Sequence, residues 1–567
     1  MSRRVFLRRI LAGVGLGGIS FGVAEIASSG AVNPPRHPKA LRRPAAPHRP
    51  APAPPDVQLT ALPGGAVVPT AAWVQAENAR AGTTGWVVTG TQTPRSIEGF
   101  ADVTSAVAGN DVTLFVNTTA RSFHVEAYRM GYYQGLGGRL IWTSDEAAGA
   151  AQPPPTVIPG YNTVESRWQP SLTAPIDATW PPGAYLLKLV GDAGEQQYIP
   201  LCVRDDTSKA AFVVQHSVTT WQAYNLWGGY SLYNGLRAGG LSFGQSTQGK
   251  DFGHRARLVS FDRPYSHDWA QGASDFIGNE FPLIFHMESL GLDVTYWTDV
   301  DLHEQPERLL QHRCLFSLGH DEYWSRQMRD GALWARNVGV NLAFLGANAC
   351  YRQIRFQDSP VGTNRIQVCY KSAAEDPMDG VDNALVTGPE WPAPPTSWDE
   401  SQLIGAMYQD VAADADMVVT DASSWLWAGT GVHSGQALPR VVQGEYDRFD
   451  SAVPGPRNVE ILAHSPVTNR GPGRYSDITW YTTPGGGGVF ATGTAAWVNK
   501  LSNTTLFPAI VVPAAIPGVT DVLLRAMENV YATLGTGPGS VVKPSNPNWQ
   551  QVAPVSGTPA PTPTPSA

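Results

Sequence analysis

The chain has 567 residues, of which 42% are hydrophobic and only 16% charged, and its length predicts two to four domains. Its net charge of -8 is unevenly spread, because the first 50 residues carry nine Lys/Arg and one Glu, which leaves the rest at -16. A body that acidic excludes a nucleic-acid binder, which needs a basic surface.

The N-terminus has the pattern of a twin-arginine signal peptide, predicted over residues 1–31. Arg3 and Arg4 precede a weakly apolar run over 10–24 that is short for a membrane span, and Ser29–Ala31 is a candidate cleavage site. The alternative is an uncleaved basic anchor. We predict export to the cell envelope or beyond by a route that carries folded proteins, often with a cofactor inserted, which is a first indication of a metal.

Residues 32–59 are rich in Pro and Ala and predict an extended linker, and residues 60–206 predict an all-β domain. Short alternating runs separated by turn residues are typical of a β-sandwich. The predicted strands include 112–118, 123–128, 184–190 and 198–203.

From residue 207 to 540 the pattern changes to a predicted α/β domain. Continuous apolar strands that alternate with helices indicate a mostly parallel sheet. The predicted strands are 210–215, 293–297, 314–318, 340–345 and 440–443, and the predicted helices are 281–290, 306–311 and 325–337. Residues 541–567 predict a disordered Pro/Thr-rich tail. No later stretch is apolar enough for a transmembrane helix.

Polar residues follow three of these strands. Thr219–Tyr224 follows the first, His320–Tyr323 follows the strand at 314–318, and Asn348 follows the next. Ligands bind outside the carboxyl ends of the strands in such sheets, so we expect one shared cleft.

His320 and Glu322 are two residues apart and should share a face in extended backbone, with Asp321 opposite. A His and a carboxylate aimed into one cleft can act as metal ligand plus general base, or as an acid/base pair. They could equally be a buried ion-pair network that supports the next helix.

Several kinds of catalytic or cofactor site are excluded because the sequence lacks the motifs that they need. The P-C-x-x-C that a zinc deaminase needs is absent, as are H-E-x-x-H and a G-x-G-x-x-G after a strand, and the G-x-S-x-G at residues 18–22 lies in the signal peptide. Cys350 and Cys369 could pair after export, which the sequence does not decide. Metal-assisted or acid/base chemistry with oxygen ligands remains.

Five blocks in order carry a resemblance to a known family: Thr220–Gly229, Arg263–Tyr265, Gly319–Ser325, Phe344–Asn348 and Gly493–Trp497. Together they resemble the large subunit of N,N-dimethylformamidase and its wider family, over roughly residues 85–535. The resemblance implies an immunoglobulin-like β-sandwich followed by an α/β domain like that of class I glutamine amidotransferases.

The resemblance also implies a mononuclear iron centre, held here by Tyr224, Tyr265 and Glu322. His320 would match a catalytic histidine beside it, and Asn348 a polar group of the pocket. Two tyrosinates and a carboxylate are hard oxygen donors that suit Fe³⁺ and leave coordination positions open. Glu445, after the strand at 440–443, is a further candidate catalytic residue or a structural ion pair.

Asp299 and Asp301, after the strand at 293–297, are predicted to cap the next helix rather than to line the rim of the cleft.

Three functions follow from these observations. The first is an exported iron-dependent amidohydrolase that cleaves the C–N bond of a small amide with a metal-activated water. The second is a non-catalytic carbohydrate- or surface-binding protein, favoured by the 18 Trp and the sandwich. The third is an iron-dependent hydrolase of another bond, such as an ester. The formamidase has a small partner subunit, but neither that partner nor a homo-oligomer follows from this sequence.

Overall fold

The computed structural model describes residues 57–89, 93–388, 390–502, 516 and 518–553. The predicted signal peptide and nearly all of the linker, to residue 56, lie outside these residues, as does the end of the predicted tail from residue 554. The described residues show a mixed α/β protein with many strands in several sheets.

The first part of the described chain is built almost entirely of strands. In chain order the elements are β1 Gln58–Ala61, β2 Val67–Thr70, α1 Ala72–Asn78, β3 Ile97–Ala101, β4 Ser105–Val107, β5 Asn110–Thr118, β6 Ser122–Met130, β7 Gly138–Thr143, β8 Ala147–Ala148, β9 Thr156–Ile158, β10 Thr163–Glu165, β11 Leu172–Ile176, β12 Gly183–Gly191 and β13 Gln196–Arg204.

Two sheets of this part face each other across one apolar core. One has the order β11-β5-β3, and the other has β4-β13-β12-β6-β7. Residues from both sheets meet in the same core, such as Leu114 of the first sheet and Leu187 of the second. Alternation of apolar and polar residues therefore places every second side chain between the layers, as expected for sheets packed face to face.

The second part alternates helices and strands. Its elements to residue 357 are β14 Phe212–His216, α2 Val218–Tyr224, β15 Gly235–Leu236, β16 Lys250–Asp251, β17 Leu258–Ser260, α3 Phe276–Asn279, α4 Phe281–Ser289, β18 Val294–Thr298, α5 Asp299–Glu304, β19 Cys314–Gly319, β20 Tyr323–Ser325, α6 Arg326–Asn337, β21 Asn341–Gly346 and β22 Arg352–Gln357. The remaining elements are β23 Ile366–Val368, α7 Ser401–Ile404, β24 Met407–Val418, β25 Ala437–Arg448, β26 Glu460–Pro466, β27 Tyr475–Thr482, β28 Gly488–Ala491, α8 Val519–Gly535, α9 Gly539–Val542 and α10 Trp549–Val552.

A seven-stranded sheet is the centre of this second part, with the order β18-β14-β19-β21-β28-β27-β26. The pairs from β18 to β28 are parallel, whereas β27 and β26 join antiparallel. The strands β14, β19 and β21 are wholly buried, as their continuous apolar runs predicted. Their carboxyl ends lie side by side, and this edge carries the polar residues discussed below.

A buried ion pair joins the two parts. The guanidinium of Arg129 on β6 donates to both carboxylate oxygens of Glu288 on α4, at 2.6 and 2.9 Å. Both side chains are fully buried, and Asn78 and Tyr296 also donate to Glu288. All the hydrogen-bonding capacity of this carboxylate is used, which a charge in this position requires.

A long hairpin, formed by β24 and β25 and called the arm below, packs against β26 and β27 of the second part. Its two strands pair antiparallel with three register shifts. Near its middle β25 is tied to the loop after β28, because the Ala495 amide donates to the Glu445 carbonyl at 3.0 Å and the Asp447 amide donates to the Gly493 carbonyl at 3.0 Å. The strand predicted at 440–443 is thus one part of a longer element.

The predicted tail overlaps ordered structure. The helices α9 and α10 lie within or next to it, and the Ile461 amide of β26 donates to Asn548 Oδ1 at 2.7 Å. The indole of Trp549 donates to the Arg457 carbonyl at 2.9 Å. Side-chain contacts of this kind outweigh the Pro-rich composition as far as residue 553.

All four cysteines are free and buried, so Cys350 and Cys369 do not pair in this structure. In the part of the chain that the structure describes, no helix has both the length and the apolar character to cross a bilayer.

Candidate functional site

Tyr224 is the last residue of α2, directly beyond the carboxyl end of β14. The start of this helix is held by Asp299, whose Oδ2 accepts from the Thr219 amide at 3.0 Å and from its hydroxyl at 2.5 Å. Asp299 follows β18, the neighbouring strand. The helix therefore leaves the sheet in a fixed direction, which sets the position of the Tyr224 phenol.

Glu322 lies in the short loop between β19 and β20, and its backbone is fixed on both sides. Its amide donates to the Thr220 hydroxyl at 2.9 Å. Its carbonyl accepts from the amides of Tyr351 and Arg352, at 2.9 and 2.8 Å. The carboxylate, which is fully buried, consequently points to the same place as the Tyr224 phenol.

Three oxygen-bearing side chains meet at this place. The Tyr224 hydroxyl donates to Glu322 Oε2 at 2.7 Å, and the Tyr233 hydroxyl donates to Oε1 at 2.5 Å. The two hydroxyl oxygens are 3.0 Å apart, and the two rings stack with their centroids 4.6 Å apart. Each oxygen of this cluster thus lies within hydrogen-bond distance of another, although the three residues come from different segments.

Two cations lie behind the cluster. Arg352 Nε is 3.3 Å from Glu322 Oε1, and Lys371 Nζ is 3.0 Å from the centroid of the Tyr233 ring. Lys371 also donates to the Tyr323 hydroxyl at 2.5 Å. Both side chains are buried or nearly so, and burial lowers the pKa of Lys371 well below that of a free lysine. Arg352, whose pKa Glu322 raises despite burial, is therefore the firmer counter-charge to the oxygen cluster.

The surroundings shift the pKa values of the acidic groups of the cluster in opposite directions. Burial and the Glu322 charge raise the pKa of Tyr224 and Tyr233 well above that of a free tyrosine. Burial by itself would also raise the pKa of Glu322, but Lys371, His320 and Arg352 outweigh it and lower that pKa. Without a cation at the phenols, Glu322 is ionised and both tyrosines are protonated, which fits the direction of their hydrogen bonds.

The donor set of the cluster fits a hard metal ion. Two phenols and one carboxylate are oxygen donors, and their closeness lets a single ion reach all three. Within the described ranges, no group of three or more His, Cys, Asp or Glu is arranged for a metal. A metal at this edge of the sheet would therefore need phenol oxygens among its ligands. Tyrosine ligands are also what the resemblance implies.

His320 forms a pair with Glu445 of the arm. Nε2 of His320 lies 2.7 Å from Glu445 Oε2 and 3.5 Å from Glu322 Oε2. Burial would lower the pKa of His320, but Glu445 and then Glu322 outweigh it and raise that pKa to about 9. The predicted His320 and Glu445 are thus brought together, and they lie beside the oxygen cluster.

Asn348 follows β21 with left-handed backbone, at a φ of 57°. Its amide donates to Oδ1 of the buried Asp447 at 2.8 Å, while its side-chain oxygen is buried without a hydrogen-bond partner. Burial raises the pKa of Asp447 to about 8. Asn348 is not among the residues that line the cleft described below, so its contact with a bound molecule stays a prediction.

Tyr265 lies apart from the oxygen cluster. Its ring is edge-on to Trp221, with the centroids 6.2 Å apart, and it lines a cavity of about 40 Å³ at the boundary with the first part. Among the described residues, no hydrogen bond joins its side chain to Tyr224 or Glu322. Tyr233 occupies the place beside Glu322 that the resemblance assigned to Tyr265, and the ligand role of either residue stays a prediction.

The second phenol had a signal in the sequence. Tyr233 ends the run Tyr230–Tyr233, which directly follows the first of the five blocks, and the nearby turn returns the chain toward Tyr224. Arg352 and Lys371 had no such signal, since neither follows a strand of the main sheet.

Asp321 points away from Glu322, as expected for adjacent residues in extended backbone. Its Oδ2 accepts from the Ser317 hydroxyl at 2.7 Å and from Gln215 Nε2 at 3.1 Å, and the same amide donates to Asp299 Oδ1 at 2.7 Å. Burial raises the pKa of Asp321 to about 7. The predicted helix cap is formed by Asp301 with Thr298, whereas Asp299 serves this network.

An open cleft of about 620 Å³ leads to the oxygen cluster. The arm forms one wall with Val411, Gly444 and Glu445. The opposite wall includes Trp269 and Asp275. The predicted convergence of the strand ends is therefore accompanied by a space that a ligand could fill.

Comparison with known protein families gives a match. A family model described as N,N-dimethylformamidase beta subunit-like, C-terminal, matches residues 124–507, which is more than half of the chain. The matched range contains every residue of the oxygen cluster, the His320–Glu445 pair and Asn348. No curated protein matches the chain.

Proposed function

Because this chain belongs to the N,N-dimethylformamidase beta subunit-like family, we propose that it is a metal-dependent amidohydrolase that cleaves the C–N bond of an amide. The observation that carries the proposal is the cluster of Tyr224, Tyr233 and Glu322 beside an open cleft, which both phenols line, with a His–Glu pair next to it.

The metal would be a single ferric ion held by Tyr224, Tyr233 and Glu322. The phenol protons must leave when an ion binds, so the donors would carry a charge of -3 that a ferric ion neutralises. A bound ferric ion would supply Lewis-acid polarisation of the amide carbonyl and acidify a water molecule. Arg352 and Lys371 would hold Glu322 and Tyr233 in place and limit their negative charge.

His320 would move the proton. Its Nε2 faces the oxygen cluster and Glu445 at once. A ferric ion bound beside it would lower its pKa, so that the neutral imidazole can take a proton from a water molecule in the cleft and deliver it to the leaving nitrogen. Glu445 would orient the imidazole and offset its charge. Asn348, whose side-chain oxygen is unpartnered, would bind a donor group of the substrate or of the departing amine.

The proposal also covers the fold family of each part, the export of the protein and its partner chain. The first part would be an immunoglobulin-like sandwich, and the second an α/β domain like that of class I glutamine amidotransferases. The protein would be exported by the twin-arginine route, and its family's name as a beta subunit points to a small partner chain.

Metal analysis and an amide assay on the same purified protein test the proposal. We expect about one iron per chain, visible absorption from tyrosinate-to-iron charge transfer, and release of amine from simple amides. A colourless protein that takes up no iron, and that hydrolyses no amide after incubation with ferric or ferrous iron, would contradict it and favour a non-catalytic binding protein. Ester hydrolysis without amide hydrolysis would favour an iron-dependent hydrolase of another bond.

A further inference from the structure

The size and charge of the cleft lead to an inference about the substrate. This inference rests on the proposed function. We propose that the preferred substrate is an amide that also bears a cationic group, several bonds from the scissile C–N bond, which Asp275 binds.

The size of the cleft is the first observation. Its volume of about 620 Å³ lies in the range of about 300–1,000 Å³ that is typical of sites for drug-sized ligands. An amide as small as dimethylformamide would leave most of this space to water. A substrate that fills the cleft must extend well beyond the amide group.

The charge of the cleft is the second observation. Asp275, His320 and Glu445 are the charged side chains among the described residues that line it, and neither Lys nor Arg is among them. Even if a protonated His320 balances Glu445, the Asp275 charge is left over, and a neutral His320 leaves the cleft more negative still. Among the described residues no ion pair neutralises it, so the cleft attracts cations and disfavours anions.

Asp275 is held in place next to the reactive groups. Its Oδ1 accepts from Asn279 Nδ2 at 2.8 Å. Asn279 in turn packs closely against Gly319, where an added Cβ would come within 2.8 Å of the Asn279 Cβ. Since Gly319 directly precedes His320, the carboxylate has a fixed position relative to the proposed proton carrier.

Aromatic rings complete the site for a cation. Trp221 and Trp269 line the same cleft as Asp275, and the face of an indole attracts ammonium groups. The indole nitrogen of Trp221 is already used, because it donates to Glu280 Oε1 at 3.0 Å. These rings therefore offer apolar surface for an alkyl chain and a favourable setting for its charged end.

A matched pair of amides tests the inference. N-formylputrescine ends in an ammonium group, and N-formylpentylamine has a methyl group in its place. In both, the oxygen of water adds to the formyl carbon, the C–N bond breaks, and the nitrogen leaves with a proton as the free amine, together with formate. With the iron-loaded protein we expect kcat/KM for the cationic amide to exceed that for the neutral amide about tenfold or more, as for a hydrogen bond to a charged group.

Variants assign the preference to one carboxylate. Asp275→Asn keeps the shape and should bring the ratio close to one, mainly through a higher KM for the cationic amide. Asp275→Ser is the second variant if the first does not fold. Asp330→Asn, which removes an exposed charge on α6, is the control and should keep the ratio.

The outcomes separate the two proposals. Equal kcat/KM values for both amides, or a preference that survives in Asp275→Asn, would overturn the inference and leave the amidohydrolase standing. Hydrolysis of neither amide by the iron-loaded protein would overturn the proposed function, and the substrate inference with it.

Discussion

The carboxylate of Glu322 accepts a hydrogen bond from the Tyr224 phenol at 2.7 Å, although 98 positions separate the two residues in the chain. Each of the two residues follows a different strand of the central sheet. Tyr224 completes the helix after β14, and Glu322 stands in the loop after β19, the strand paired directly with β14. The sheet therefore brings the two donors together, and Tyr233 joins them from a loop.

The identity of the second phenolic ligand can be decided by two parallel substitutions. Tyr233→Phe removes an oxygen 2.5 Å from Glu322, so we expect lower iron content and loss or shift of the visible band. Tyr265→Phe removes a hydroxyl that lies apart from the cluster. Metal content and absorption spectra of both variants give the answer, and a bleached Tyr265→Phe with an unchanged Tyr233→Phe would restore the set implied by the resemblance.

Loss of the His320 imidazole should remove activity without removing iron. Loss of a general base costs about 10²–10⁴-fold in rate, so His320→Ala should fall in that range for kcat. Glu445→Gln keeps the imidazole but removes its charged partner, and a smaller loss with a lower apparent pKa in the pH–rate profile is expected. Iron-free His320→Ala protein would instead make His320 a ligand.

Acid should destabilise the fold through buried histidines. Burial lowers the pKa of His312 to about 4, whereas an unfolded chain has a histidine pKa of about 6.5. The unfolded state therefore binds more protons between these values, and stability falls as the pH drops from about 6.5 to 4, by about 3 kcal/mol for this group.

Urea unfolding at several pH values measures this loss. His312→Asn cannot titrate, yet its amide can still donate to the Ala210 carbonyl, to which the imidazole is hydrogen-bonded at 2.7 Å. We expect a flatter dependence on pH in this variant. The same exchange at the exposed His433 is the control, and an equal flattening there would contradict the assignment.

The buried pair between Arg129 and Glu288 should be sensitive to loss of one partner. Glu288→Gln leaves the guanidinium without a counter-charge in a dry environment, at a cost of about 3–5 kcal/mol in the free energy of unfolding. Asp192→Asn, which breaks the exposed pair with Arg121, should cost far less. Comparable losses in both variants would mean that the buried pair adds nothing of its own.

Export should depend on the N-terminal arginine pair. Replacing Arg3 and Arg4 together by Lys conserves the charge but removes the feature that the twin-arginine route recognises. We expect the double variant to remain in the cytoplasm in a host that has this route. Immunoblots of cell fractions measure where the protein accumulates. Normal secretion of the double variant would instead support a different signal.

Much of the central sheet was predictable because its strands are simple. The runs at 210–215 and 314–318 are apolar on both faces, and the structure has β14 and β19 there within two residues. Ser325 was recognisable as a helix cap, and its hydroxyl accepts from the Met328 amide at 3.2 Å. Local pattern is enough where burial and capping decide the structure.

Long-range partners were harder to predict. Glu445 was named as a candidate, but its pairing with His320 depends on the arm, which passes over a sheet distant in sequence. Lys371 lies in a loop with a left-handed φ of 55°, so nothing in its neighbourhood predicted a cation over the Tyr233 ring. The contacts of Asn548 and Trp549 likewise depend on residues 87 and 92 positions away.

The arm contributes a cleft wall but no donor of the oxygen cluster. Val411, Gly444 and Glu445 belong to it, whereas Tyr224, Tyr233 and Glu322 stand on the main body of the second part. Changes in this hairpin would therefore alter what enters the cleft without replacing any of the three oxygen donors. For protein engineering, grafting this hairpin between relatives, with Glu445 retained as the partner of His320, is a route to altered specificity that leaves the proposed metal donors in place.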